Sequence, residues 1–474
     1  MSQAEKFTGA KIGPFLLSLA VGLGFWFMPV PEGLEANAWH LLAIFLATIV
    51  GIITKALPMG GMTMLALTVL AASQTLTIKE TLSGFSYPVI WLIVLAFFIA
   101  KSFVKTGLGI RIAYLFVALL GRRSLGLAYG MAMTDLALAP AIPSSTARGG
   151  GIVYPVVKSL ALTFDSSPEK NTQRKIGAFL IQSAYHCNII TSAMFLTAMA
   201  ANPMIAEMAK DMNLEMTWGL WALAASVPGI ISLAVIPLAL YKLYPPEIKE
   251  TPQATTIARE HLHQMGKIKT EEWITLGVFF FLLFLWIFGS LYGIDSTTAA
   301  LAGVSVLLVT GVLSWNDMTS ERAAWDTLFW FATLIMMASF LSRLGLIGWI
   351  STSIQESVES IPWYTAVPVL ILGYFYSHYL FASITAHVSS MFAAFSVVGI
   401  VIGVPPLLMV FILAFCSNLS ACITHYGTGP GPILFGSGYV GLATWWKLGG
   451  IISIIHLVVW VGIGSIWWKL IGLW

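Results

Sequence analysis

Two short polar segments interrupt otherwise apolar stretches of this chain: Ser144-Ser145-Thr146-Ala147-Arg148-Gly149-Gly150-Gly151 and Ser383-Ile384-Thr385-Ala386-His387. Serine and threonine are favoured where a helix begins, because their hydroxyls cap unpaired backbone N–H groups. The same end carries the positive pole of the helix dipole. Two such starts facing one another make a site for a molecule with two carboxylates. Ser144, Ser145 and Thr146 are thus candidate ligands on one side, with Ser383 and Thr385 on the other. The plainer alternative is that these hydroxyls only cap their helices, and the paired occurrence favours the site. Arg148 carries a planar fork suited to a carboxylate. Its competing role is an ion pair with Asp135 in the same stretch. His387 takes the equivalent place in the second segment, as a functional group or as a hydrogen-bonded core residue.

Two further segments read as broken helices. One contains Asn188, Thr191 and then Ala200-Ala201-Asn202-Pro203. The other runs from Asn418 through Thr424 into Gly427-Thr428-Gly429-Pro430-Gly431-Pro432. Glycine and proline at that density interrupt a helix. Asn188, Thr191, Asn418, Thr424 and Thr428 are therefore candidate walls of the site, with ordinary interhelical hydrogen bonding the alternative for each. Cys187, Cys416 and Cys422 fit no metal spacing and read as small core residues. Nothing in the sequence calls for a metal or a cofactor, and no basic block reads as a nucleic-acid surface.

The elements that position these residues follow from composition. The 474 residues are 58% hydrophobic and 9% charged, against about 25% charged in soluble domains. That excludes an ordinary cytosolic enzyme or a disordered chain and leaves an all-α polytopic membrane protein. About twenty apolar residues cross the hydrocarbon, and eleven crossings are expected, near 12–30, 38–56, 61–77, 87–105, 176–200, 217–243, 272–292, 297–314, 326–342, 406–426 and 446–472. The stretches 124–164 and 362–402 hold the polar segments at their centres. Each is a re-entrant hairpin or two full spans, and a polar break beside a cavity favours the hairpin. With the N-terminus inside, 19 of 24 Lys and Arg fall inside, which satisfies the positive-inside rule and puts the C-terminus outside. Trp445, Trp446, Trp467 and Trp468 read as interfacial anchors.

The halves also resemble each other. Trp91 matches Trp330, Gly107-Leu108 matches Gly345-Leu346, and Ser144 to Arg148 matches Ser383 to His387, at offsets of 238 to 239. In the expected topology the copies are inverted. The division is 1–243 with the first hairpin, a cytoplasmic linker 244–271 with a surface helix, and 272–474 with the second hairpin. Inverted repeats with a midplane site mark secondary transporters.

The runs Ala139 to Gly151, His378 to His387 and Thr424 to Pro430 resemble the divalent anion/sodium symporter family. The exchanger branch, with bacterial citrate/succinate and tartrate/succinate antiporters and the plastid 2-oxoglutarate/malate translocator, is the more similar part of it. The resemblance implies eleven crossing helices, two re-entrant hairpins, a homodimer in the lipid bilayer and an elevator motion. It also implies that both tips bind substrate carboxylates. The family tip is Ser-Asn-Thr, which in sodium-coupled members also frames sodium sites. Here the tips read Ser-Ser-Thr and Ser-Ile-Thr, and the Ile384 side chain cannot coordinate a cation. The expectation is sodium-independent exchange of malate, succinate, 2-oxoglutarate or citrate across a bacterial inner membrane, with Arg148 and His387 supplying charge in place of the ion. A sodium-coupled symporter is the rival, and an intramembrane enzyme the remote alternative.

Overall fold

The computed structural model describes residues 9–346, 348, 349, 352 and 362–474, and of residue 290 the backbone alone. The first eight residues, with Lys6 of the inside-facing cations, lie outside it. Among the described residues there is helix and a single isolated bridge, Arg123 to Glu250. The first half runs α1 (Ile12–Phe27), α2 (Ala36–Ile53), α3 (Met59–Ala72), α4 (Ile78–Thr81), α5 (Pro88–Thr106), α6 (Leu108–Leu120), α7 (Ser124–Leu138), α8 (Tyr154–Thr163), α9 (Gly177–Met194), α10 (Ala201–Lys210) and α11 (Trp218–Leu243). α12 (Pro252–Gln264) follows α11. The second half runs α13 (Thr270–Phe288), α14 (Ser296–Val309), α15 (Trp315–Thr319), α16 (Arg322–Arg343), α17 (Trp363–Ser377), α18 (Ile384–His387), α19 (Ala393–Val401), α20 (Pro406–Leu419), α21 (Pro430–Gly436), α22 (Leu442–His456) and α23 (Gly464–Leu470).

Among the described residues, eight helical segments are long and apolar enough to cross a membrane. Seven lie at expected crossings, and the eighth, Ile384–Val401, is the returning arm of the second hairpin. α1, α3 and α14 are apolar but shorter. α9 is different in kind. It carries Gln182, His186, Asn188 and Thr191, and every one of its residues is buried. A helix wrapped wholly by protein has no need of an apolar face toward lipid. α1 is the opposite, with Ser18 alone buried.

Small backbone details recur between the halves. A π-helical segment follows each hairpin tip, Ala147–Val153 and Val388–Phe392. Thr77 with Glu80 and Ser314 with Asp317 form capping boxes at matching helix starts. The Asp317 carboxyl is held down at about 2, chiefly by the Lys105 ammonium and then by the Ser314 N–H. Left-handed helix ends also correspond: Lys55 with Gly293, Gln74 with Gly311, Gly107 with Gly345, Asp165 with Gly403, and Asn213 with Gly438. Contacts are reciprocal. α3 packs on α16 as α14 packs on α5, and α10 packs on the second π-helical segment as α21 packs on the first.

α6 lies outside the expected crossings. It packs on α12, and its Arg111 forms a buried two-pronged pair with Glu272 at 2.6 and 3.1 Å. Trp445 and Trp468 are core residues rather than interfacial anchors. Trp445 lies fully buried against Tyr185, and buried Trp468 donates to the Ala224 carbonyl at 2.9 Å. Burying an indole with its N–H satisfied is favourable packing. Trp446 and Trp467 are not fully buried. The three cysteines are buried and unpaired.

Candidate functional site

Both tips are built alike. The chain leaves α7 through Ala139 to Ser144 and becomes helical again at Ser145. Ser144 Oγ accepts from the Ala147 N–H at 3.2 Å, and its carbonyl from the Arg148 N–H at 3.1 Å. In the second hairpin Ser383 Oγ accepts from the Ala386 N–H at 3.5 Å, and its carbonyl from the His387 N–H at 3.1 Å. The two serines therefore do cap helices, and they also border a shared space.

That space is a cavity of about 280 Å³, at the small end of ligand pockets, which run from about 300 Å³ upward. It is lined by Ser144, Ser145 and Thr146 from the first tip, Ser383, Ile384 and Thr385 from the second, and Thr428 and Gly429 from the break after α20. α5 and α16 close it with Phe97, Thr327 and Trp330. Among the described residues, the hydroxyls of Ser145, Thr146, Thr327, Thr385 and Thr428 make no hydrogen bond within the protein. Five open hydroxyls and two helix starts face the cavity, and among the described residues no charged side chain lines it. Such a lining suits an anion that brings its own acceptor oxygens. A wider recess of about 730 Å³, bordered by Lys11, Lys55 and Met59, shares Ala382 and Ser383 with it.

The remaining candidates stand behind this wall. Arg148 is fully buried and does not reach the cavity. Its Nε meets Asp135 Oδ1 at 3.2 Å, its Nη1 donates to the carbonyls of Ile142 and Ala198, and its Nη2 donates to Ser192 Oγ at 2.7 Å. Asp135 also accepts from Asn188 Nδ2 at 3.1 Å and from Thr191 Oγ1. The ion pair thus prevails over direct carboxylate contact, because four of the five guanidinium N–H donors are already engaged inside the protein. Asn188 and Thr191 belong to that network. It pins the first tip to α9 and to the break after it.

His387 is fully buried too, with Nε2 at 2.9 Å from Ser377 Oγ and its ring against Tyr374. Asn418 donates to Asn202 Oδ1 at 2.7 Å. Thr424 accepts through its carbonyl from Tyr185 at 2.7 Å, while its buried hydroxyl has no partner. Of the twelve residues picked from sequence, six line the cavity (Ser144, Ser145, Thr146, Ser383, Thr385 and Thr428), and the other six position the tips and breaks. Thr327, Phe97 and Trp330 were missed. Trp330 had a signal, since it anchors one of the repeat matches. Among the described residues no three of His, Cys, Asp and Glu gather as a metal site.

The model of the sodium:sulfate symporter transmembrane region matches residues 10–474. The Bacillus subtilis protein YflS, named as a candidate malate transporter, is 53% identical over 99% of both chains. Spinach chloroplast dicarboxylate transporter 1 is 48% identical over 100% of this chain and 84% of its own. The Escherichia coli inner membrane protein YbhI is 38% identical over 97% and 98%. In fold the chain resembles the Alcanivorax borkumensis YdaH transporter, with a TM-score of 0.55 at 14% identity over 97% of each chain.

Proposed function

The chain belongs to the family of the sodium:sulfate symporter transmembrane region, and from that premise we propose that it exchanges di- and tricarboxylates of the malate, succinate, 2-oxoglutarate and citrate type without sodium. It is a membrane transporter and not an enzyme. The observation that carries the reading is the cavity between two Ser-x-Thr tips, with five open hydroxyls and, among the described residues, no charged lining. A four- or five-carbon dianion fits within that volume and supplies the acceptors. Ile384 stands at the middle of the second tip, and its side chain offers no ligand to a cation. Exchange is favoured over net uptake because two helix N-termini aim at one emptied space. Carrying that bare partial charge across the bilayer is unfavourable without an anion. Arg148 adds no net charge of its own to this argument, since Asp135 balances it.

The proposed arrangement is eleven crossings with two re-entrant hairpins in inverted halves, 1–243 and 272–474, joined by the cytoplasmic linker 244–271. The N-terminus is cytoplasmic and the C-terminus outside, in a bacterial inner membrane. The body holding both tips moves as an elevator within a homodimer. The reciprocal packing of α10 and α21 on the opposite hairpins supports a single moving body. A sodium-coupled reading also has an observation in its favour. Among the described residues, the buried Oδ1 atoms of Asn188 and Asn418 have no partner, and bare oxygens suit a hard cation.

Counterflow in proteoliposomes separates the two readings. Vesicles loaded with unlabelled malate receive labelled 2-oxoglutarate, in sodium or in choline. Uptake that requires internal malate and ignores sodium is the expected result. Uptake into empty vesicles that requires a sodium gradient would overturn it.

A further inference from the structure

A dianion between the tips needs compensating charge, because taking charge out of water is costly unless it is paired. The first hairpin offers no net charge, since Arg148 and Asp135 cancel at 3.2 Å. The second hairpin holds His378 and His387, both fully buried, with ring centroids 5.1 Å apart. His378 Nε2 lies 3.0 Å from the Gly427 carbonyl, which only accepts, so Nε2 carries hydrogen. His387 Nε2 lies 2.9 Å from Ser377 Oγ, whose one hydrogen goes to the Tyr374 carbonyl at 2.8 Å. Ser377 can then only accept, and His387 Nε2 carries hydrogen as well. These assignments follow from the hydrogen-bond network. In both rings the position left to titrate is Nδ1, and in both Nδ1 is buried with no partner.

Two imidazolium charges about 5 Å apart repel, which weakens the second proton on the order of a hundredfold at an effective dielectric near 20. The elements packed on the pair bring Tyr374, Cys416, Cys422, Glu207, Asp211 and, beyond the recess, Lys55. Among the described residues no carboxylate hydrogen-bonds to either ring, and Asp211 is occupied by Ser339 at 2.8 Å. Among the described residues no carboxylate pairs with a proton there. A dianion at the tip would.

Resting on the dicarboxylate reading above, we propose that His378 and His387 together take up one shared proton when a dicarboxylate dianion binds, so that proton and anion enter the site as a pair. Arg148 is then the positioning cation of the first hairpin, and the histidine pair is the chargeable group of the second. The linkage has a definite sign. Bound anion favours the protonated pair, so affinity is highest at low pH and falls as pH rises through the titration of the complex.

The test is calorimetric titration of the purified full-length transporter with malate between pH ~6.5 and 8.5, where both malate carboxylates are ionised. Each titration is run in phosphate and in Tris, whose ionisation enthalpies differ. A buffer-dependent heat equal to uptake of up to one proton per malate is expected, with affinity falling as much as tenfold per pH unit toward the upper end. His387→Gln and His378→Gln should each bind malate with the uptake reduced or lost. Malate binding by the wild-type protein with no proton uptake across this range would overturn the proposal, and needs no variant to do so. Uptake unchanged in both variants would overturn it equally, by placing the proton elsewhere. Absence of malate binding together with absence of dicarboxylate exchange would instead count against the transport reading on which it rests.

Discussion

Behind the first tip stands an ion pair, and behind the second stand two neutral-capable rings and a tyrosine. The positions correspond: Asp135 and Arg148 in one half match Tyr374 and His387 in the other, each at an offset of 239. Asp135 is held by Asn188 and Thr191, and Tyr374 donates to or accepts from Ser417 Oγ at 2.7 Å. The backbone plan is shared to the level of the capping serines and the π-helical segments. The electrostatics are not. One hairpin is locked by charges that cancel, and its buried polar atoms are mostly satisfied. The other keeps orphaned nitrogens at His378 and His387. Duplicated architecture therefore fixes where a charged group sits, while the side chains decide whether the charge is permanent.

The largest effect that bears on this contrast is expected at the ion pair. Arg148→Gln strands Asp135 in the interior, and breaking a buried pair from one side costs about 3–5 kcal/mol. Asp135→Asn combined with Arg148→Gln should recover part of that loss, because no bare charge remains. Thermal unfolding in detergent reads both, and equal melting of the single variant and the wild type would remove the ion pair from its structural role. A smaller effect is expected at the breaks. A methyl group at Gly429 falls on Thr146 Oγ1, whereas the corresponding place after α9 is already Ala200. Gly429→Ala should cut exchange by tenfold or more while the protein still purifies as a folded species, about the loss of one well-placed hydrogen bond to a charged group. Exchange at the wild-type rate would mean that the Thr146 hydroxyl is not used. The smallest effect compares helix ends. Gln74 holds φ at 57°, where its counterpart is Gly311. Gln74→Gly should stabilise by about 0.5 kcal/mol, since the left-handed region is unfavourable for residues with a Cβ. A lower melting point would show that the Gln74 side chain contributes more than its backbone costs.

Much of this was legible in the sequence because it depended on local pattern. Ser144 and Ser383 announced helix starts by residue type and repeat offset, and both are helix starts. Gly/Pro density announced the break before Pro430. Burial was harder to read. Arg148 and His387 have residue types that suit a ligand, but a residue one turn past the capping serine points behind the tip rather than into the cavity. Thr327 and Phe97 enter from α16 and α5, whose uniform apolarity conceals which face meets the site. α6 escaped because its amphipathic surface pattern is neither a span nor a loop. α9 was read as a crossing from its ends, yet its polar residues mark the helix that everything else surrounds.

The segment between α11 and α13 is stitched down along its length. Thr251 N–H donates to the Arg122 carbonyl and its hydroxyl to that of Gly121, while Ser124 N–H donates to the Lys249 carbonyl. Glu247 and Ile248 N–H groups donate to the carbonyls of Arg174 and Lys175. α12 then lies on α6, and Arg111 reaches the Gly266 carbonyl and Glu272 beyond it. The peptide bond that follows Lys267 thus adds little to the shape. What it contributes is effective concentration, holding two mutually complementary halves near one another until they dock. Two polypeptides divided at that bond are expected to carry the same docking information as the single chain, and to differ from it chiefly in the dilution at which assembly begins to fail.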